Sequence, residues 1–430
     1  MTSYREILSA TTAILVCLPF ISLLPISAEA QPLYLITMAA VISAARTVDA
    51  IYLSFVFAAF LISIYSLFIY DSYSVLESFV AYLVPLAVGL YVKAVDRDRF
   101  AINLSRFTIF YLFVACIQQF LPLGLSQILL GWLKALIPRL TLTPLTEWDR
   151  GISIVASEPS SMVPLIFLQL GMVYYLYSRS IFTGIRATNL TIVCVVLGLL
   201  TKAVTFYVAM AYLIISIFLI GLTRRSGVFL IYGALTVIFF FSGILELIVP
   251  DRAIDLINSF QLTHDFLIKL NNVSGNRIGV IFGPYCNLID PNIYWLGFGA
   301  WSEQFNNVVS SCFPLNIHDT EYMRAVNHVN IKPSSIFALA MLDFGIFGIG
   351  FLVFFIGYSL LMLFHEEKRG SALGDSFFWA STAALVLGGF PLTLPHFWIV
   401  WFFFKPSFSR QHRFTSRTRR RGAITHGAAG

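Results

Sequence analysis

Apolar runs of about twenty residues, separated by short segments that carry the charges, succeed one another along most of this 430-residue chain. That alternation restricts the fold more than any motif does. A run of this length crosses the hydrocarbon core of a bilayer as a helix, whereas a membrane barrel would alternate apolar and polar residues at every second position over about ten residues. The expected fold class is therefore all-α, a polytopic membrane protein. Composition agrees: 12 % of residues are charged and 58 % hydrophobic, against roughly 25 % and under half in soluble chains. The net charge of +6 and pI of about 9.0 do not point to nucleic acid, because Lys and Arg cluster between the apolar runs, where orientation in a membrane already requires them.

Twelve runs are read as spans: 7–26, 32–45, 51–70, 75–92, 107–121, 158–177, 187–200, 203–222, 229–249, 334–364, and the shorter 377–390 and 396–404 as a final hairpin. With the N-terminus inside, 19 of the 28 Lys and Arg residues fall on the cytoplasmic side, leaving nine outside. Cations resist translocation, so this asymmetry supports the orientation. The chain divides into a membrane bundle over 1–249, a large external loop over 250–333, C-terminal membrane helices over 334–404 and a basic cytoplasmic tail over 405–430. Ala28-Glu29-Ala30 after the first run mimics a signal-peptidase site. The length of the apolar core and its weakly positive start favour a retained first helix.

Residues 125–140 differ in kind. Leu125, Ile128, Leu129, Trp132, Leu133, Leu136, Ile137 and Leu140 repeat at three and four residues, with Lys134 and Arg139 off the stripe. The segment is too short and too polar on one side to span, and is expected to lie in the outer interface. Asp96-Arg97-Asp98 in the segment 93–106 has the form of the acidic pair that holds a metal and a nucleotide-sugar in soluble glycosyltransferases. No nucleotide-binding domain accompanies it, and it reads as a solvated cytoplasmic loop. Of five cysteines, Cys17, Cys116 and Cys194 lie in apolar runs and read as core thiols. Cys286 and Cys312 share the large loop; in an oxidising compartment, a bridge between them would close a 27-residue loop and stabilise it by about 3 kcal/mol.

The external charges carry the chemistry. Arg150, Lys202, Arg277, Arg324 and Lys332 lie near external ends of spans or in the large loop. The planar fork of Arg binds phosphate oxygens through paired hydrogen bonds, and a membrane lipid carrying a pyrophosphate would present its charge at that depth. Fixed cations there stabilise the charge that grows on a pyrophosphate leaving group. A transfer reaction also needs a base for the incoming hydroxyl. His328, five residues before Pro333, is one candidate and Glu158, at the head of a Glu-Pro-Ser helix start, is the other.

Arg150-Gly151 with Glu158-Pro159-Ser160, then Asn276-Arg277-Ile278, Leu296-Gly297-Phe298-Gly299, His328-Val329-Asn330 and Asp343-Phe344-Gly345-Ile346-Phe347-Gly348 resemble, in that order, the O-antigen ligase and polymerase superfamily. Ser160 stands where many relatives have Asn, and Val329 separates His328 from Asn330. The resemblance implies a membrane-embedded glycosyltransferase fold, of the C type, that works without cofactor, nucleotide or metal. It also implies the substrate, an undecaprenyl-pyrophosphate-linked glycan at the periplasmic face of the bacterial inner membrane. Carried onto this chain, Arg150 and Arg277 hold the pyrophosphate, His328 activates the acceptor, and Lys332 and Glu158 support them. The implied partners are membrane lipids and the chain-length regulator and flippase of the same pathway, with no nucleic acid. A lipid-linked repeat unit as acceptor makes a polymerase, the preferred reading; lipid A core as acceptor makes a ligase. A flippase for the same lipid is the rival from another class, although no internal repeat is visible and the charged cluster is external rather than at mid-membrane.

Overall fold

The computed structural model describes residues 2–21, 97–137, 140–144, 151–156 and 159–222, with single helical positions at 57, 60, 61, 64, 65, 68, 350, 381, 396, 399 and 400. The described residues are helical wherever they are regular, with no strand among them. Six helices are defined: α1 Thr2–Cys17, α2 Arg97–Phe120, α3 Leu123–Leu136, α4 Pro159–Ser178, α5 Gly184–Leu200 and α6 Val204–Leu222. Two of them, α2 and α4, are long and apolar enough to cross a membrane by length and composition.

Proline sets several boundaries. α1 stops at Cys17, well before the expected end at residue 26, because Pro19 has no N–H to give and pushes Leu18 out of the helical region. Pro122 likewise separates α2 from α3, and its extended backbone leads into the first turn of α3. Pro159 opens α4 at the first helical position, where its missing N–H costs nothing. Thr183 caps α5 by accepting a hydrogen bond from the Arg186 N–H.

α2 begins at Arg97, so the segment 93–106, expected as a loop, is helical from 97 onward. Asp98 in the first turn suits the positive end of the helix dipole. Its buried side runs through Ala101, Leu104, Ser105, Thr108, Tyr111, Ala115 and Gln118, a helical-period stripe that mixes polar with apolar residues. Ile109, Phe113 and Phe120 face outward and are exposed. Arg99, Arg106 and Gln119 share that exposed side, and Phe100, Val114 and Ile117 the buried one, so α2 carries apolar residues on both faces.

α4 is the central helix. From Pro159 to Val173 every residue except Ser161 is buried, which is why it carries no polar face. It packs on α2, α5 and α6, while α1 packs on α2. α1 and α2 run parallel: Arg99 pairs with Glu6 at 2.6 Å, Asn103 donates to Ser9 at 3.1 Å, and the Tyr111 hydroxyl donates to the Cys17 carbonyl at 2.6 Å. α2 and α4 run antiparallel, with Tyr175 donating to Asp98 at 2.9 Å and Thr108 to Gln169 at 3.2 Å. Arg179 completes that end with an ion pair to Asp98 at 3.5 Å.

The bundle therefore has two chemically distinct ends. One gathers Glu6, Asp98, Arg99 and Arg179. The other, about 30 Å away along α4, holds Gln118, Ser126, Thr141, the segment 151–156 and the turn at Thr201. α3 belongs to this second end. Its Ser126 hydroxyl lies 3.3 Å from the carbonyls of Ile117 and Leu121, and the chain is back at Gln118 by Thr141, so α3 starts and returns on the same side. Leu130, Leu133 and Ile137 point inward, whereas Leu125, Ile128, Leu129 and Trp132, half of the apolar stripe read from sequence, are exposed.

Cys17 and Cys194 are buried free thiols, as expected, but Cys116 is exposed. Helical spacing explains the difference: position 116 falls opposite the buried stripe that contains Ala115 and Gln118.

Candidate functional site

Between Arg150 and Glu158 the chain forms a short non-helical strap over 151–156, in which every residue is buried. Backbone without helical hydrogen bonds, held away from water, needs partners from elsewhere in the protein. Gln118, in the last turn of α2 and 1 % exposed, supplies them. Its side-chain carbonyl accepts from the Ile154 N–H at 2.9 Å. Its amide nitrogen donates to the Ile154 carbonyl at 3.0 Å and to the Thr141 carbonyl at 2.8 Å. A single side chain thus pairs with both backbone groups of Ile154, as a neighbouring strand would.

The strap is also strained. Ile154 has φ 55°, the left-handed region, which costs a side-chain-bearing residue about 1–2 kcal/mol and is an outlier for a β-branched one. Backbone strain of this kind persists where the surroundings over-determine it. Here the surroundings include the Thr141–Ser153 hydroxyl pair at 2.8 Å and the Ala156 N–H, which bonds the Ser153 carbonyl at 2.9 Å.

At its start the strap presses on the α5–α6 turn. The Ile152 N–H donates to the Leu200 carbonyl at 3.1 Å, and a Cβ added to Gly151 would collide with the backbone of Leu200 and Thr201. Only glycine allows this approach. The turn itself is fixed by the Thr201 hydroxyl, which donates to the Gly198 carbonyl at 2.6 Å, and by Lys202 with φ 47°. Lys202, exposed and carried on this turn, is thereby brought to the strap.

No protein-family model matches this sequence, and no curated protein or solved structure matches it either. The chemistry of the site rests on the chain's own residues.

Arg150, Glu158, Arg277, His328, Lys332 and the cysteines Cys286 and Cys312 all lie outside the described residues. Two of them flank the described strap in sequence. The strap is bonded to Arg150 at one end and, through Ser157, to Glu158 at the other, and Pro159 then opens the central helix. Gln118, Thr141 and Ser153 were not singled out from sequence. An amide in the last turn of an apolar helix reads as ordinary interfacial polarity, and nothing local marks its partner 36 residues away.

Asp98 accepts a hydrogen bond from Tyr175 and pairs with Arg179, and Asp96 lies outside the described residues. Among the described residues no group of His, Cys, Asp and Glu has the makings of a metal site.

A second polar cluster lies in the bundle interior, where α1 ends. The carbonyl of Cys17 accepts from Tyr111, that of Val16 lies 2.7 Å from the ring Nε2 of His396, and the Cys17 thiol accepts from Gln169 at 3.4 Å. Tyr111 and His396 thus take up carbonyls left open at the helix C-terminus.

Proposed function

We propose that this chain is a membrane-embedded glycosyltransferase that polymerises undecaprenyl-pyrophosphate-linked oligosaccharide repeat units at the periplasmic face of the bacterial inner membrane. Arg150 and Arg277 hold the diphosphate, with Lys332 beside them, and neutralise the charge that develops as the glycosidic phosphate bond breaks. His328 takes the proton from the acceptor hydroxyl, with Glu158 in support. No metal or nucleotide is needed, because the diphosphate is already the leaving group.

The observation that carries this reading is the strap. A buried, strained, non-helical segment joins Arg150 to Glu158, at the bundle end opposite the one that gathers Arg99 and Arg179. Cations mark the cytoplasmic side, so this placement supports an external position for the candidate site. The parallel pairing of α1 with α2 supports the same layout. It requires residues 22–96 to bring the chain back to its starting end, as the three runs at 32–45, 51–70 and 75–92 would. Exposed Phe113, Ile128, Trp132 and Ile185 form an apolar exterior that favours a lipid setting.

The interior cluster of Cys17, Tyr111, Gln169 and His396 favours a second reading, a flippase for the same lipid-linked sugar, since broken helices with polar surroundings at depth also serve transport. Reconstitution in proteoliposomes separates the readings. With lipid-linked repeat units and no nucleotide or metal, a polymerase yields a ladder of longer glycans, whereas a ligase yields product only when lipid A core is supplied. A flippase moves the substrate across the bilayer and leaves its length unchanged.

A further inference from the structure

We infer that Gln118 is a positioning residue, whose amide latches Ile154 in its left-handed conformation within the strap 151–156 and so sets where the backbone departs toward Arg150 and Glu158. The inference rests on the proposed role of those two residues, but the latch itself is a property of described side chains.

Three features separate Gln118 from an ordinary buried amide. It spends both its donor and its acceptor on the backbone of a single residue, Ile154, at 3.0 and 2.9 Å, and its second N–H joins Thr141 at 2.8 Å. That residue is the strained one, with φ 55°. The strap cannot relieve itself by extending α4 backward, because Pro159 has no N–H to donate to the carbonyl four residues earlier and disfavours a helical residue ahead of it. Without the bonds from Gln118, Ile154 would relax toward negative φ and its buried N–H and carbonyl would need other partners. Gly151, jammed against Leu200 and Thr201, fixes the other end, so the latch decides the path of everything between them.

The test uses the full-length protein in liposomes and two readouts. An Ala156→Cys substitution reports on the strap, because Ala156 is fully buried; its labelling by a membrane-impermeant maleimide is followed by peptide mass spectrometry, which separates it from the native cysteines. Gln118→Met keeps the volume and removes all three hydrogen bonds, and is expected to raise labelling at least tenfold and to lower kcat/KM for lipid-linked repeat units at least tenfold. Gln118→Glu keeps the acceptor for the Ile154 N–H and should fall between, with part of the activity recovered. It carries the test alone if Gln118→Met does not fold. Labelling at the wild-type rate in the variants overturns the inference, and so does full activity in a variant whose strap has become accessible. Raised labelling in the variants, alongside a wild-type protein that builds no glycan, supports the latch and overturns the polymerase reading instead.

Discussion

The Tyr111 hydroxyl donates to the carbonyl of Cys17 at 2.6 Å, inside the bundle. This bond closes the C-terminus of α1 where Pro19 has ended the helix, at the level of the middle of α2. Tyr111→Phe should leave that carbonyl buried and unpaired, at a cost of about 1–3 kcal/mol. Reversible unfolding in detergent measures it; a change within experimental error would show that the carbonyl has found another partner.

Two glycines make opposite predictions. Gly151→Ala drives a methyl group into the Leu200–Thr201 backbone, which has no flexible side-chain end to give way, so folded yield or glycan synthesis should fall at least tenfold. Gly131→Ala, in the interior of α3 with open space around it, should stabilise the protein by up to about 1 kcal/mol. Thermal midpoints in detergent read both.

Asp98 provides a test of metal independence. Its carboxylate is engaged by Tyr175 and Arg179, and Asp98→Asn retains an acceptor for the Tyr175 hydroxyl. Polymer length and rate should be within about twofold of wild type for this variant and unchanged by EDTA. This follows from the small contribution of a partly exposed ion pair. Loss of activity on chelation would return the acidic pair to consideration.

Lys202 sits on the turn that Gly151 packs against. On the polymerase reading it adds positive charge near the diphosphate held by Arg150. Lys202→Gln should raise KM for the lipid-linked substrate about threefold to tenfold, in keeping with about 1 kcal/mol for a cation near a charged membrane surface, and leave kcat near wild type. An unchanged KM at low salt would remove Lys202 from the binding surface.

Sequence pattern located α4, α5 and α6 within a few residues, because long apolar runs flanked by Pro159, Thr183 and the Thr201-Lys202 turn leave little choice. It misplaced the start of α2. Arg97, Asp98 and Arg99 read as a loop by hydropathy, yet they occupy a helical turn whose charges pair with Glu6 and with Tyr175 and Arg179 from other helices. It also ran α1 past Pro19 and placed Cys116 in the core. The strap was wholly hidden. Ile152, Ile154 and Val155 resemble any apolar segment, and the left-handed conformation of Ile154 and the bonds that hold it depend on Gln118 and Thr141, which lie outside any local window. Arg150, Glu158 and His328 were singled out because they interrupt a greasy sequence with charge, and they lie outside the described residues.

The most direct measurement is the glycan ladder made by purified protein in proteoliposomes from undecaprenyl-pyrophosphate repeat units, with wild type beside Arg150→Ala, Arg277→Ala and His328→Ala. Removing a group that acts on developing charge or on the transferred proton is expected to cost at least about a hundredfold in rate. The expected result is a ladder from wild type and none from the three variants, all inserted in the membrane at equal levels. Wild-type ladders from Arg277→Ala and His328→Ala would contradict the assignment of the diphosphate grip and the base.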